Sequence, residues 1–218
     1  MSRMHGRRSW RAALLCLGLL AVAGGFESAS EPAGRAQGYL VSGAGAGRGA
    51  ALAQAAGEFR IVAANLLWSK VVDHYHHQYM AEGGDWSKNE SLLPLLQTII
   101  TLDPHFVQAY EIMGGAILPR TGRARRGAQV LDAGIARNRG EAGEWELCRE
   151  AALLADREEH DPVKALGYAR LGLEQTRYAR DEATGGPDEF AIRLMTKLCH
   201  TLGDQAAAGH GAAAGSES

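Results

Sequence analysis

The chain has 218 residues, of which 46% are hydrophobic and 22% charged, and its formal net charge is −2. This composition excludes a basic nucleic-acid-binding domain and a highly charged disordered chain. Aromatic residues make up only 6% while glycine reaches 28 residues, which favours closely packed helices with Gly-rich ends over a β-sandwich.

The N-terminus has the pattern of a secretory signal. Basic residues precede an apolar run at 12–25, no acidic residue occurs before Glu27, and the small residues Ala21 and Ala23 lie near the end of the run. The run is shorter than the ~20 residues needed to span a bilayer comfortably. We therefore predict a cleaved signal peptide over residues 1–23 and an exported protein, periplasmic or otherwise extracytoplasmic. A retained anchor over residues 12–25, with membrane association, is the alternative.

Two further segments are low in complexity. Residues 24–49 are rich in Gly, Ala and Ser, and we interpret them as a flexible linker. The glycines from Gly43 to Gly49 imitate a phosphate-binding loop, but no βαβ unit follows them. We predict a helical domain over residues 50–205 and a disordered tail over 206–218.

The central domain shows helical periodicity and almost no strand signal. Apolar residues recur at three- and four-residue steps, and clusters of Gly, Pro and Asp interrupt them. Pro94 is acceptable in a first helical turn, where its missing N–H would have no partner. We predict seven helices in alternating hairpins, over approximately residues 59–75, 89–102, 106–118, 124–136, 145–155, 162–178 and 190–202.

An aromatic residue occurs early in each odd-numbered predicted helix. In chain order these residues are Trp68, Tyr110, Trp145 and Phe190. The helix around the second of them has a pattern of large and small residues formed by Tyr110, Met113, Gly114 and Ile117. A turn glycine, Gly122, follows. The next helix then has small, large and small residues at Gly127, Leu131 and Gly134. This pattern resembles the tetratricopeptide repeat family, with its period of ~34 residues and loop insertions between units. The resemblance implies an all-α helix–turn–helix repeat solenoid of about 3.5 units.

The resemblance also implies a concave groove lined by the first helix of each unit. Its polar positions here are Ser69, Asp73, His76, His77, Gln108, Glu111, Glu146 and Glu150, and its apolar or small ones are Leu66, Gly115, Leu118, Leu153 and Leu154. Such a groove is mildly acidic with a histidine-rich end. It is suited to a protein or peptide partner with basic or polar groups. We therefore predict a non-catalytic interaction scaffold that needs no cofactor and binds no nucleic acid.

A metal-binding or metal-dependent protein is the rival interpretation. Asp73 and His77 lie four residues apart on one helical face with His76 beside them, so two or three ligands could meet a divalent ion. A polar helix face with solvated histidines explains the same residues, because no HExxH motif or second ligand pair completes a site.

Other reactive residues give little indication of chemistry. The chain has no GxSxG, CxxC or CxxCH motif, which removes the commonest signatures of serine hydrolases, thiol redox proteins and c-type haem proteins. Cys148 and Cys199 are interpreted as unpaired thiols, with a disulfide as the alternative in an oxidising compartment. A basic turn formed by Arg120, Arg123, Arg125 and Arg126 is interpreted as a solvated surface.

Overall fold

A computed structural model describes residues 57–72, 77, 81, 83–181 and 183–214. The predicted signal peptide and linker lie outside these ranges. Within the described ranges, no helix combines the length and the apolar character needed to cross a membrane.

Seven helices form the described part of the chain. The third is continuous, with α-helical turns at Val107–Tyr110 and Leu118–Arg120 on either side of a π-helical stretch, Glu111–Ile117. The others are α1 Arg60–Lys70, α2 Leu93–Leu102, α4 Ala124–Arg137, α5 Glu144–Arg157, α6 Pro162–Gln175 and α7 Glu189–Ala214, and the continuous helix is called α3. Short 3-10 turns occur at Gly57–Phe59, Trp86–Lys88, Glu90–Leu92 and Thr176–Tyr178. The only β feature in these ranges is an isolated bridge between Arg180 and Pro187, so the predicted all-α class is confirmed.

Helix ends follow local sequence signals. Pro94 occupies the first turn of α2, as predicted. Asp161 caps α6, because its side chain accepts a hydrogen bond from the Lys164 N–H at 2.9 Å. Gly122 and Gly140 adopt φ of 76° and 79° in the turns before α4 and α5, a conformation that glycine adopts without steric cost.

Consecutive helices pack against one another. Contacts join α1 to α2, α3 to α4, α4 to α5, α5 to α6 and α6 to α7, and further contacts join α3 to α5 and α5 to α7. One buried cluster runs from α1 to α5 and includes Leu96, Ile99, Leu102 and Ile117. A second lies between α5, α6 and α7 and is built largely from small residues such as Ala165, Ala169 and Ala191 with Met195. The odd-numbered helices α3, α5 and α7 therefore follow one another along one side of the stack.

The α3–α4 pair depends on glycine at its closest point. A Cβ atom on Gly114 would lie 2.9 Å from the Gly127 carbonyl oxygen, and one on Gly134 would lie 2.8 Å from the Tyr110 ring. These distances are too short for a real side chain. The small positions read from the sequence thus lie where the two backbones, or a backbone and an aromatic ring, meet directly.

Two features differ from the expectations. α7 continues to Ala214, and Leu202 and Ala206 on it are buried, so the helix extends into the segment 206–218 expected to be disordered. Phe190, aligned in sequence with the buried Tyr110 and Trp145, is 63% exposed. The reason is that Ala191 and Met195, not Phe190, occupy the buried side of α7.

The described cysteines are not bridged. Cys148 is buried in the core and Cys199 is half-buried on α7, and both are free thiols.

Candidate functional site

Three of the predicted groove carboxylates come together where α3 lies beside α5. Glu111 begins the π-helical stretch of α3, and Glu146 and Glu150 lie one turn apart on α5. Arg149 lies among them and contacts two directly: its Nη2 is 3.2 Å from Glu111 Oε1 and 2.8 Å from Glu150 Oε1. The Arg149 guanidinium also lies 5.7 Å from the centre of the Trp145 ring, within the range of a cation–π interaction.

Adjacent glycines let α3 approach two helices at once. Gly114 faces α4, whereas a Cβ on Gly115 would lie 2.8 Å from Glu150 Oε2 on α5. Gly115 therefore leaves space for the Glu150 carboxylate beside the α3 backbone. Gly115 was predicted to line the groove. In the structure, its missing side chain leaves the space that the Glu150 carboxylate occupies.

The cluster holds more negative charge than one arginine neutralises. Burial, and then repulsion from Glu146, raises the pKa of Glu111 to about 7, although Arg149 opposes the change. Burial also raises the pKa of Glu146, and Asp188 adds to this rise while Arg149 again opposes it. With all three carboxylates ionised, only one side-chain cation contacts them directly within the described ranges.

An open groove continues from this cluster towards α7. Its volume is about 720 Å³. It is bordered by the N-terminal ends of α3, α5 and α7 and by the loop after α6. Gln108 and Glu146, both predicted groove residues, line it. The remaining lining residues are His105, Val107, Ala142, Gly143, Trp145, Ala179, Arg180, Asp181, Ala183, Asp188 and Phe190.

Sequence reasoning missed the contribution of the loop before α7. Asp188 caps α7 through Ala191 N–H···Oδ1 at 2.9 Å, and an acidic residue just before an apolar-periodic segment is a recognisable start signal. Nothing in the local pattern brings that cap next to Glu146, however, because their proximity depends on how α7 packs on α6.

The remaining predicted groove residues are dispersed. Ser69 is exposed on α1, and its hydroxyl donates to the Asn65 carbonyl at 3.2 Å. His77 is helical and exposed, whereas Asp73 and His76 lie outside the described residues. Leu118 and Leu154 do not face a groove: both are buried in the core, 0% and 5% exposed, because the α3 and α5 positions they occupy turn towards neighbouring helices.

The described residues do not add ligands to the predicted metal site. Among the described residues, no group of three His, Cys, Asp or Glu side chains has the arrangement needed to hold a metal ion. In the basic turn, Arg123 pairs with Glu90 at 2.8 Å, which connects the start of α4 with the turn before α2.

Comparison with protein-family models, with curated proteins and with solved structures finds no match for this chain. Function is therefore inferred from the site itself.

Proposed function

We propose that this protein is a non-catalytic scaffold that binds a peptide or an extended protein segment along the side of the stack where α3, α5 and α7 follow one another. The observation that carries this proposal is the convergence of Glu111, Glu146 and Glu150 from two helices, next to an open groove. The N-terminal signal pattern supports a location outside the cytoplasm as part of the same proposal.

The helical framework favours binding without large rearrangement. Close glycine contacts between α3 and α4 and the buried side chains between α5, α6 and α7 hold the helices in place. A surface held by its own core loses little conformational freedom on binding. The resemblance to tetratricopeptide repeats, best in the unit from Tyr110 to Gly134, supports a concave binding side of the same kind.

The charge of the site favours a basic partner. Three carboxylates around Arg149 leave an excess of negative charge, and Asp188 extends it into the groove. A Lys- or Arg-bearing segment would be attracted to this surface and would lower the repulsion among the carboxylates.

The test uses the purified full chain and a displayed library of random twelve-residue peptides. We expect enrichment of peptides that bind with dissociation constants in the micromolar range. Hydrogen–deuterium exchange with a selected peptide is expected to protect α3, α5 and the start of α7, and to leave α4 and α6 unchanged.

Two results would overturn the proposal. One is a library that yields no peptide binding above a scrambled control. The other is protection confined to α4 and α6, which would move binding to the opposite side of the stack.

A further inference from the structure

The groove between the N-terminal ends of α3, α5 and α7 is lined by three carboxylates and by the exposed ring of Phe190. We propose that it binds an arginine side chain of the peptide ligand, with the guanidinium between Glu146 and Asp188 and its face against Phe190. This inference rests on the proposed scaffold function and names the residue that the scaffold recognises.

The groove has the room and the access for such a side chain. Its volume of about 720 Å³ is open to solvent on one side and exceeds what a single arginine fills. Val107 and Trp145 provide apolar wall where the methylene stem of an arginine would lie. Peptide backbone on either side of the arginine would pass over the mouth of the groove.

The three carboxylates of the groove are not equivalent. Asp181 Oδ1 accepts hydrogen bonds from the N–H groups of Ala183 and Thr184 at 3.1 and 2.8 Å, so this carboxylate organises the loop. Asp188 uses Oδ1 to cap α7. Within the described ranges, no hydrogen bond or ion pair reaches the Glu146 carboxylate, although it is half-buried. Within the described ranges, the Glu146 carboxylate and the Oδ2 atoms of Asp181 and Asp188 are therefore the acceptors left for a ligand. Of the two aspartates, only Asp188 acts on the charge of Glu146.

These two carboxylates interact with one another unfavourably. Both residues line the groove, and the charge of Asp188 contributes to the raised pKa of Glu146. A cation placed between them removes this repulsion and supplies the missing hydrogen-bond donors.

The arginines in and beside the groove are held by other partners. Arg180 lines the groove, but its Nη1 donates to the carbonyls of Arg177 and Ala179 at 2.7 and 2.9 Å. Its guanidinium is thus held against the backbone of its own loop. Arg149 lies on the next turn of α5 and is committed to Glu111 and Glu150.

Phe190 distinguishes arginine from lysine. It lines the groove, is 63% exposed, and is not part of the buried cluster between α5, α6 and α7. A guanidinium is planar, stacks on an aromatic face and offers five donors that can bridge two carboxylates. An ammonium group is a compact, strongly hydrated point charge and gains less from the same surroundings.

The test uses the full chain and a positional-scanning library of acetylated hexapeptides in which arginine, lysine, citrulline or leucine is fixed at each position in turn. We expect arginine to be preferred at one position, with lysine roughly tenfold weaker and the uncharged citrulline weaker still. For the best arginine peptide, Glu146→Gln and Asp188→Asn are each expected to weaken binding roughly tenfold or more. Asparagine still caps a helix, so Asp188→Asn removes the charge and keeps the start of α7.

Matched variants separate this inference from the proposed function. Glu158→Gln makes the same charge change at an exposed position after α5 and is expected to leave binding unchanged. Phe190→Leu is expected to reduce the preference for arginine over lysine. Peptides that bind well but show no arginine preference and no response to Glu146→Gln would overturn the inference and leave the scaffold in place. No hexapeptide binding at any position, with none from the random library, would overturn both.

Discussion

Arg149 on α5 reaches across to Glu111 on α3, with Nη2 and Oε1 3.2 Å apart. This contact connects the odd-numbered helices of two neighbouring hairpins through a charge pair that is largely removed from solvent. It does not neutralise its surroundings, because Arg149 also pairs with Glu150, and Glu146 lies nearby. Because burial raises the pKa of Glu111 to about 7, ionising this carboxylate costs stability in the folded protein.

The first prediction concerns Glu111 and pH. Its pKa in the folded protein is about 7, against an ordinary value of 4.5 for an exposed glutamate. Between these two values the folded state therefore binds more protons than the unfolded state. This contribution to stability is fully present below pH 4.5 and is lost as pH rises through 7. Glu111→Gln should remove this dependence and raise the free energy of unfolding at pH 8 by roughly 1–3 kcal/mol.

Urea unfolding followed by circular dichroism at several pH values between 5 and 8 measures the effect. Glu158→Gln, at an exposed position, is the matched control and should unfold with the pH profile of the wild type. A Glu111→Gln variant that is less stable than wild type at pH 8 would show that the Arg149 contact outweighs the cost of burying the carboxylate.

The second prediction concerns the glycines between α3 and α4. A Cβ at Gly127 would collide with the Gly114 carbonyl oxygen, which is backbone and cannot move aside. Gly127→Ala should therefore destabilise the protein by about 1–3 kcal/mol. Gly167 on α6 has no atom within 4 Å of an added Cβ, so Gly167→Ala should stabilise it by about 0.5–1 kcal/mol through helix propensity.

Thermal and urea unfolding of the two variants gives the comparison directly. The same substitution in two helices should change the free energy of unfolding in opposite directions. Equal effects at both positions would mean that α3 and α4 are not held at this close distance.

The helices were predictable from the sequence because their signals are local. Gly122 and Gly140 end up in turns, and Pro94 in a first turn, as the residue types alone require. The small positions Gly127 and Gly134 were also predictable, because the resemblance to tetratricopeptide repeats relates them to residues one helix earlier. The structure places them against Gly114 and Tyr110.

The groove was only half predictable. The resemblance to tetratricopeptide repeats implies Gln108, Glu111, Glu146 and Glu150 as groove positions, at fixed offsets from Tyr110 and Trp145 along two regular helices. Asp188 and Phe190 depend on which side α7 turns towards α6, which is decided by Ala191 and Met195 fitting against small residues. The alignment of Phe190 with Tyr110 and Trp145 does not tell whether its ring is buried, so its exposure is seen only in the tertiary structure.

The third prediction concerns the turn between α5 and α6. His160 adopts φ of 54°, a left-handed conformation that strains a residue with a Cβ. His160→Gly should relieve this strain and stabilise the protein by about 1 kcal/mol.

His200, which is exposed within α7, provides the control. There the same substitution, His200→Gly, should destabilise the protein by a few tenths to about 1 kcal/mol. Unfolding midpoints of the two variants should move in opposite directions, and a fall for both would indicate that the His160 side chain makes a stabilising contribution.

The fourth prediction concerns the two described thiols. Burial is the main cause that raises the pKa of Cys148 to about 12, and the charge of Glu144 adds to it; Cys148 is also fully shielded from solvent. Since the thiolate is the nucleophile, Cys148 should resist iodoacetamide at pH 8 in the native protein and react only after unfolding.

Cys199 is half-buried and should react faster than Cys148 under native conditions, although burial raises the pKa of Cys199 too. Peptide mass mapping after timed labelling distinguishes the two sites. Rapid native labelling of Cys148 would mean that the buried cluster around α5 opens far more readily than its packing implies, and would weaken the case for a preformed binding surface.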